Sequence, residues 1–166
     1  MIIAVSTLSA PSALGADNVP SHVVNANSAK LLDVRGASND NGAQVIQWNN
    51  NGGANQIWTF KPVGPPVGGT LQLYLIQSQH SKKVLDVQGS SKNDTAPVVQ
   101  NDWSGAISQL WVVFQFGDTP YALIMNVNSA KVLDVTQSSK EDGANVVQYS
   151  WLGGANQLWS ILDLGP

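Results

Sequence analysis

Three aspartates occupy one position of a repeated pattern: Asp33 in Leu31-Leu32-Asp33-Val34, Asp86 in Val84-Leu85-Asp86-Val87 and Asp134 in Val132-Leu133-Asp134-Val135. Each is followed 23 residues later by the glutamine of a Gln-x-Trp triplet: Gln56-Ile57-Trp58, Gln109-Leu110-Trp111 and Gln157-Leu158-Trp159. A carboxylate accepts hydrogen bonds, an amide donates and accepts without charge, and an aromatic face covers an apolar C–H patch. Such groups suit neutral, polyhydroxylated ligands. Amides dominate the polar residues of the 166-residue chain, with 15 Asn and 13 Gln against 8 Lys plus Arg and 11 Asp plus Glu. A net charge of -3 with so few basic residues leaves no clustered positive surface, so nucleic acid is not an expected partner. The chain has no cysteine, which removes disulfides and thiolate chemistry. His22 and His80 stand without a ligand set or a nucleophile, and no metal or other cofactor is expected. The carboxylates recur by repetition rather than as an acid and base pair, so the sequence reads as non-catalytic.

The elements that must position these residues follow from the repeat itself. Successive aspartates lie 53 and then 48 residues apart while the Asp-to-Gln spacing is constant, so the difference falls between units, where Lys61-Pro62-Val63-Gly64-Pro65-Pro66-Val67-Gly68-Gly69 reads as a long turn-rich connection. The expected organisation is an N-terminal extension or signal remnant over 1–20, then one domain over 21–166 with repeats 21–69, 70–118 and 119–166. In each unit four short apolar stretches alternate with turn residues; in the first they are His22 to Asn25, Leu31 to Val34, Gln44 to Trp48 and Gln56 to Phe60. Four strands per unit make twelve. A unit of roughly 50 residues buries little by itself, whereas three packed about an axis share one apolar centre and protect most strand edges. A closed antiparallel barrel capped by hairpins is therefore expected in preference to a propeller, which typically needs at least about four blades. Trp58, Trp111 and Trp159 then belong to the core, beside Leu32, Leu85 and Leu133.

The Asp-Val near the second strand and the Gln-x-Trp at the fourth, in three copies, with Gly-Gly-Ala-Asn-Gln in units one and three, resemble the ricin B-type lectins. That family also supplies carbohydrate-binding modules attached to glycosidases. The resemblance covers about residues 21 to 164 and implies an all-β, β-trefoil fold with shallow sugar pockets, up to one per repeat, usually for galactose or N-acetylgalactosamine. It implies Asp33 as central acceptor in the first repeat, Trp48 as stacking platform, Asn55 as a direct sugar partner and Gln56 as an orienting group, with Gln47 and Asn50 as further candidates. In the third repeat Asp134, Tyr149, Asn156 and Gln157 take those places, with Gln148 and Trp151 beside them. The second repeat keeps Asp86 and Gln109 but has Asn101 at the platform and Ser108 in place of the asparagine, with Trp103 a substitute platform, so it is expected to be weak or silent. Galactose-binding repeats of the family carry Gln two residues before the platform, where Ile46, Val99 and Val147 stand here. Gln47, Gln100 and Gln148 come one residue later, and strand alternation turns them to the other face unless a bulge intervenes. The family's frequent cysteine pair is absent. Lys30, Lys83 and Lys131, which recur at one hairpin position, read as solvated turn residues.

The function expected is a multivalent, non-catalytic lectin, with glycans or glycoproteins as partners. Two alternatives stay open: a xylan- or arabinan-targeting module, and a protein-binding trefoil such as a protease inhibitor or a toxin-complex component. No apolar run is long enough to span a membrane. Met1 to Ala16 reads either as the tail of a secretion signal, which favours an extracellular protein, or as a plain extension compatible with the cytoplasm. Monomer and homodimer are both open.

Overall fold

The computed structural model describes residues 16–165. The expectations placed on residues 1–15 lie outside that range; the first strand already begins at Pro20. Twelve strands follow in order: β1 (Pro20–Asn25), β2 (Leu31–Val34), β3 (Ala43–Trp48), β4 (Trp58–Val67), β5 (Leu71–Ser78), β6 (Val84–Val87), β7 (Val98–Asn101), β8 (Trp111–Gln115), β9 (Ala122–Asn126), β10 (Val132–Val135), β11 (Val146–Tyr149) and β12 (Trp159–Asp163). All pairings are antiparallel. Six strands close into a ring through β1–β4, β4–β5, β5–β8, β8–β9, β9–β12 and β12–β1. The other six form three hairpins, β2–β3, β6–β7 and β10–β11, which meet over one end of the ring through β3–β7 pairing and the bridges Ile46↔Asn145 and Pro97↔Val147. A closed ring with three capping hairpins is the β-trefoil arrangement. Among the described residues there is no α-helix, and no helix long and apolar enough to cross a membrane.

The repeated apolar residues build the centre three at a time. Leu32, Leu85 and Leu133 are fully buried, as are Val45, Val98 and Val146, and the tryptophans Trp58, Trp111 and Trp159. Each indole Nε1 donates to the carbonyl of its repeat's leucine, at 2.9 Å to Leu32, 3.0 Å to Leu85 and 3.0 Å to Leu133. An indole buried without that acceptor would carry an unpaired N–H, so the Leu-Asp-Val and Gln-x-Trp motifs are bonded to one another as well as packed. One residue breaks the symmetry at the centre of the cap. Gln44 Nε2 lies 2.7, 3.0 and 3.1 Å from the carbonyl oxygens of Val45, Val98 and Val146, one from each repeat, and binds all three hairpins together.

Two local expectations are corrected. The proline-rich connection is a hairpin: β4 continues through Lys61-Pro62-Val63 to Val67 and pairs with β5 up to a register shift between Val63 and Val67. This hairpin reaches beyond the ring, where a strand edge has no neighbour waiting for the missing proline N–H. Gln56 belongs to a short 3-10 turn, Ala54–Gln56, and not to a strand; the same turn recurs at Ile107–Gln109 and Ala155–Gln157.

Candidate functional site

Strand alternation sorts the residues of each hairpin. β2 pairs with β3 in the register Leu31↔Trp48, Leu32↔Gln47, Asp33↔Ile46 and Val34↔Val45, with no bulge. Leu32, Val34 and Val45 face the core, so Asp33, Ile46 and Trp48 share the outward face. There they line a hollow of about 420 Å³ with Arg35, Asn51 and Asn55. Trp48 is 40 % exposed, a ring half open to solvent with its other side against the third repeat: a Cβ added at Gly143 would lie 3.4 Å from Trp48 Cζ3. Each hollow is thus walled by a loop of another repeat.

Asp33 is buried, and Gln56 Nε2 donates to its Oδ2 at 2.8 Å and to the Asn49 carbonyl at 2.8 Å, while Gln56 Oε1 accepts from the Asn51 N–H at 3.0 Å. One amide therefore fixes both the carboxylate and the loop beside it. Asn55 Nδ2 donates to the Val34 carbonyl at 3.1 Å. Burial raises the Asp33 pKa above the ordinary carboxylate value, the amides of Gln56 and Asn55 oppose that, and nearby Asp142 adds to the rise. Gly53 is required for space: its φ is -74°, ordinary for any residue, but a Cβ there would collide with Asn55 Oδ1.

The third repeat reproduces this arrangement around a hollow of about 480 Å³ lined by Asp134, Tyr149 and Asn156, with Thr95 of the second repeat as its wall and Thr136 and Leu152 at the rim. Asn156 Nδ2 donates to the Val135 carbonyl at 3.0 Å, and Gln157 bonds the loop through the Ser150 carbonyl and the Leu152 N–H, both at 2.9 Å. Gly154 leaves room for Asn156 as Gly53 does for Asn55. Burial pushes the Asp134 pKa up to about 6, against the amides of Gln157 and Asn156, with Asp94 adding to the rise.

In the second repeat Asn101 folds back on the carboxylate, its Nδ2 donating to Asp86 Oδ2 at 2.9 Å. Asp86 Oδ1 is buried and has no hydrogen-bond partner among the described residues. Ala106 stands where the other repeats have Gly53 and Gly154, and Ser108 where they have asparagine, its hydroxyl bonded to Ser90 at 3.0 Å. The two changes belong together, because a methyl at 106 occupies the space an asparagine oxygen would need. Gln109 still bonds the Asp102 carbonyl at 2.8 Å.

Four sugar-contact candidates lie elsewhere. Gln47 and Gln148, with Gln100, are fully buried on the inner face and staple the repeats together. Gln47 Nε2 donates to the Ser139 and Glu141 carbonyls, Gln100 to Ser38 and Asp40, and Gln148 to Ser91 and Asn93, at 2.8 to 3.0 Å. Each Oε1 also accepts from a serine of its own repeat at 2.7 Å. Asn50 Oδ1 accepts from the Gly52 N–H and caps its turn; Asn51 lines the first hollow instead. Trp151 packs edge-on against Phe116 at 5.6 Å, and Leu152 borders the third hollow in its place. Trp103 is 46 % exposed. The recurring lysines are corrected too: Lys30, Lys83 and Lys131 are ion-paired at 2.7 Å to Asp142, Asp102 and Asp94 and are only 12–17 % exposed, holding loops and not merely decorating turns. Sequence reading missed Arg35, Asn51, Thr95, Thr136 and Gly143; the first four carried no repeated signal, and Gly143 reaches the hollow only through packing between repeats.

A family model described as ricin-type beta-trefoil lectin domain-like matches residues 14–101, 64–149 and 108–166. No curated protein matches the sequence. Among solved structures, a designed threefold-symmetric protein, ThreeFoil, is 41 % identical, with a TM-score of 0.81 over 87 % of this chain and 99 % of that one. The exo-beta-1,3-galactanase 1,3Gal43A from Clostridium thermocellum is 35 % identical with a TM-score of 0.82, over 89 % of this chain but only 31 % of the enzyme. The Macrolepiota procera ricin B-like lectin, solved with lactose, shares the fold at 18 % identity, with a TM-score of 0.73 over 90 % of this chain and 99 % of the lectin. With the hairpin-borne Asp, aromatic and Asn-Gln set in place twice and the family pattern spanning the described fold, the chain belongs to the ricin-type β-trefoil lectin domain-like family.

Proposed function

We propose that this protein is a non-catalytic, galactoside-binding lectin with two sites, one in the first repeat and one in the third. The observation that carries the reading is the pair of open hollows, each with a buried carboxylate, an asparagine and an orienting glutamine, and a half-exposed aromatic ring. A sugar laid in such a hollow offers hydroxyl donors to the carboxylate and an apolar face to the ring. Galactose is favoured over other sugars because the 35 % identical enzyme is named as a galactanase. Galactose, N-acetylgalactosamine and β-1,3-linked galactans are the ligand class. Each site exchanges water hydrogen bonds for protein ones at small net gain, so single-site affinity is weak and two sites on one rigid body strengthen attachment to branched glycans. The second repeat contributes little, since Asn101 already occupies Asp86.

A polysaccharide-targeting module of a larger enzyme is the second reading, favoured by the match to less than a third of the galactanase. Calorimetric titration with lactose, N-acetylgalactosamine, β-1,3-galactobiose and xylo-oligosaccharides tests both. Galactoside heats that vanish in the folded Asp33→Ala, Asp134→Ala double variant support the lectin reading, preference for galactobiose over lactose moves it to the galactan module, and no heat with any galactoside at millimolar concentration refutes it.

A further inference from the structure

Among the positions at which the two hollows differ, one carries a charge. Arg35, the only arginine in the chain, stands at the first hollow, and Thr136 holds the equivalent place at the third. Arg35 is exposed, yet its guanidinium is fixed: Nη2 donates to Asn145 Oδ1 at 2.8 Å and to the Gly143 carbonyl at 3.3 Å, both in the loop that the third repeat contributes as a wall. That anchor exists only here. The residue equivalent to Asn145 is Pro97 in the loop walling the third hollow and Gln44 in the loop beside the second repeat, where Gln44 is committed to the three central carbonyls. The single arginine and the asparagine that anchors it therefore occur together.

A neutral sugar does not need a guanidinium, and a threonine serves the rim of the third hollow. The nearby acids do not use Arg35. Asp33 bonds to Gln56 at the hollow's floor and Asp142 pairs with Lys30. With Nη2 engaged, the Nη1 and Nε hydrogens and the positive charge are held in place at the rim for a further acceptor, and an anionic acceptor such as a carboxylate gains most from that charge. Trp48 offers a larger face than Tyr149, in a hollow of comparable volume to the third, about 420 against 480 Å³.

Resting on the lectin reading above, we propose that the first-repeat site selects galactosides bearing a carboxylate sugar, with Arg35 holding the carboxylate while Asp33 and Trp48 hold the galactose, and that the third-repeat site takes neutral galactosides. The two sites then read different parts of one glycan population.

The test uses the full chain with Asp134→Asn, which leaves the first site alone. Lactose is compared by calorimetry with two acidic relatives, a glucuronyl-galactoside and sialyl-lactose, at low and high salt. The expected result is acidic binding about 5-fold tighter than lactose at low salt, converging at ~0.5 M NaCl, with the acid-to-neutral ratio falling to one in Arg35→Thr. Preference for only one of the two acidic sugars supports the proposal and assigns the source of the carboxylate. Conversely, Thr136→Arg with Asp33→Asn should give the third site an acid preference, weaker than that of the first for want of an anchoring asparagine. Equal affinity for acidic and neutral sugars, or an acid preference that survives Arg35→Thr, overturns the proposal while leaving the lectin reading intact. Failure of lactose itself to bind would remove the lectin reading instead.

Discussion

Replacing Gly53 by alanine separates space from flexibility at the first hollow. Its φ of -74° and ψ of 143° suit alanine, so on backbone grounds the change should stabilise by about 0.4–1 kcal/mol through a less flexible unfolded chain. The added methyl, however, overlaps Asn55 Oδ1 and would sit 2.8 Å from Asn51 Oδ1. Asn55 must then rotate away, breaking its 3.1 Å bond to the buried Val34 carbonyl at a cost of roughly 1–3 kcal/mol. The net expectation is a loss of about 1 kcal/mol and a Tm lower by about 3 °C. Lactose affinity at the first site, measured by calorimetry with Asp134→Asn, should fall about tenfold because Asn55 leaves the hollow. The second repeat shows the compensation: Ala106 adopts φ -70° and ψ 140° with Ser108 in place of asparagine. Adding Asn55→Ser to Gly53→Ala should accordingly return the Tm to within about 1 °C of the parent without restoring binding, a coupling that a double-mutant cycle reads directly. If Gly53→Ala alone changes neither Tm nor affinity, Asn55 is not held where the steric argument puts it, and the reasoning fails.

Four further outcomes follow from the same geometry. The Asp134 carboxyl titrates near pH 6 and sugar hydroxyls donate to its ionised form, so affinity at the third site should fall roughly tenfold per pH unit below about pH 6, measured calorimetrically with Asp33→Asn. For the free protein the sign is opposite: the raised pKa means that the native state holds a proton the unfolded chain has released, so this group's contribution to stability rises as pH falls from about 6 toward the ordinary carboxylate value, readable as Tm against pH for wild type and Asp134→Asn. Gln100→Ala removes two bonds to the Ser38 and Asp40 carbonyls and the acceptor of Ser81, for about 3 kcal/mol and a Tm drop of ~10 °C in thermal denaturation. Asn101→Trp with Ala106→Gly and Ser108→Asn should free Asp86 and install a platform, raising lactose stoichiometry from two to three; an unchanged stoichiometry in the folded triple variant would show that the second repeat lacks more than these residues.

The motifs that repeat were legible because symmetry copies them three times. Leu-Asp-Val and Gln-x-Trp announced the barrel, and the tryptophans proved to be core residues bonded to the very leucines beside the aspartates. The period-two rule placed Trp48 with Asp33 and turned Gln47 away, although no local signal said that Gln47 would reach the Ser139 and Glu141 carbonyls of another repeat. What joins the repeats was hidden for the same reason. The Lys30–Asp142 pair and the Arg35–Asn145 bond span more than a hundred residues, and their partners differ from one repeat to the next. Gly53 was visible as a motif letter, but its role is steric and required the position of Asn55. The proline run misled because proline usually punctuates; in a hairpin projecting past the ring, extended prolines are tolerated.

The central claim concerns where a galactoside docks, and indole N–H resonances report it directly. Trp58, Trp111 and Trp159 donate to backbone carbonyls in the core, whereas Trp48 faces the first hollow. In a lactose titration followed by nitrogen-proton NMR, the Trp48 indole signal should shift along with backbone amides around Asn55 and Asn156, while the three core indoles stay still. Movement of Trp103 or Trp151 with Trp48 unmoved would place the sugar elsewhere and contradict the account.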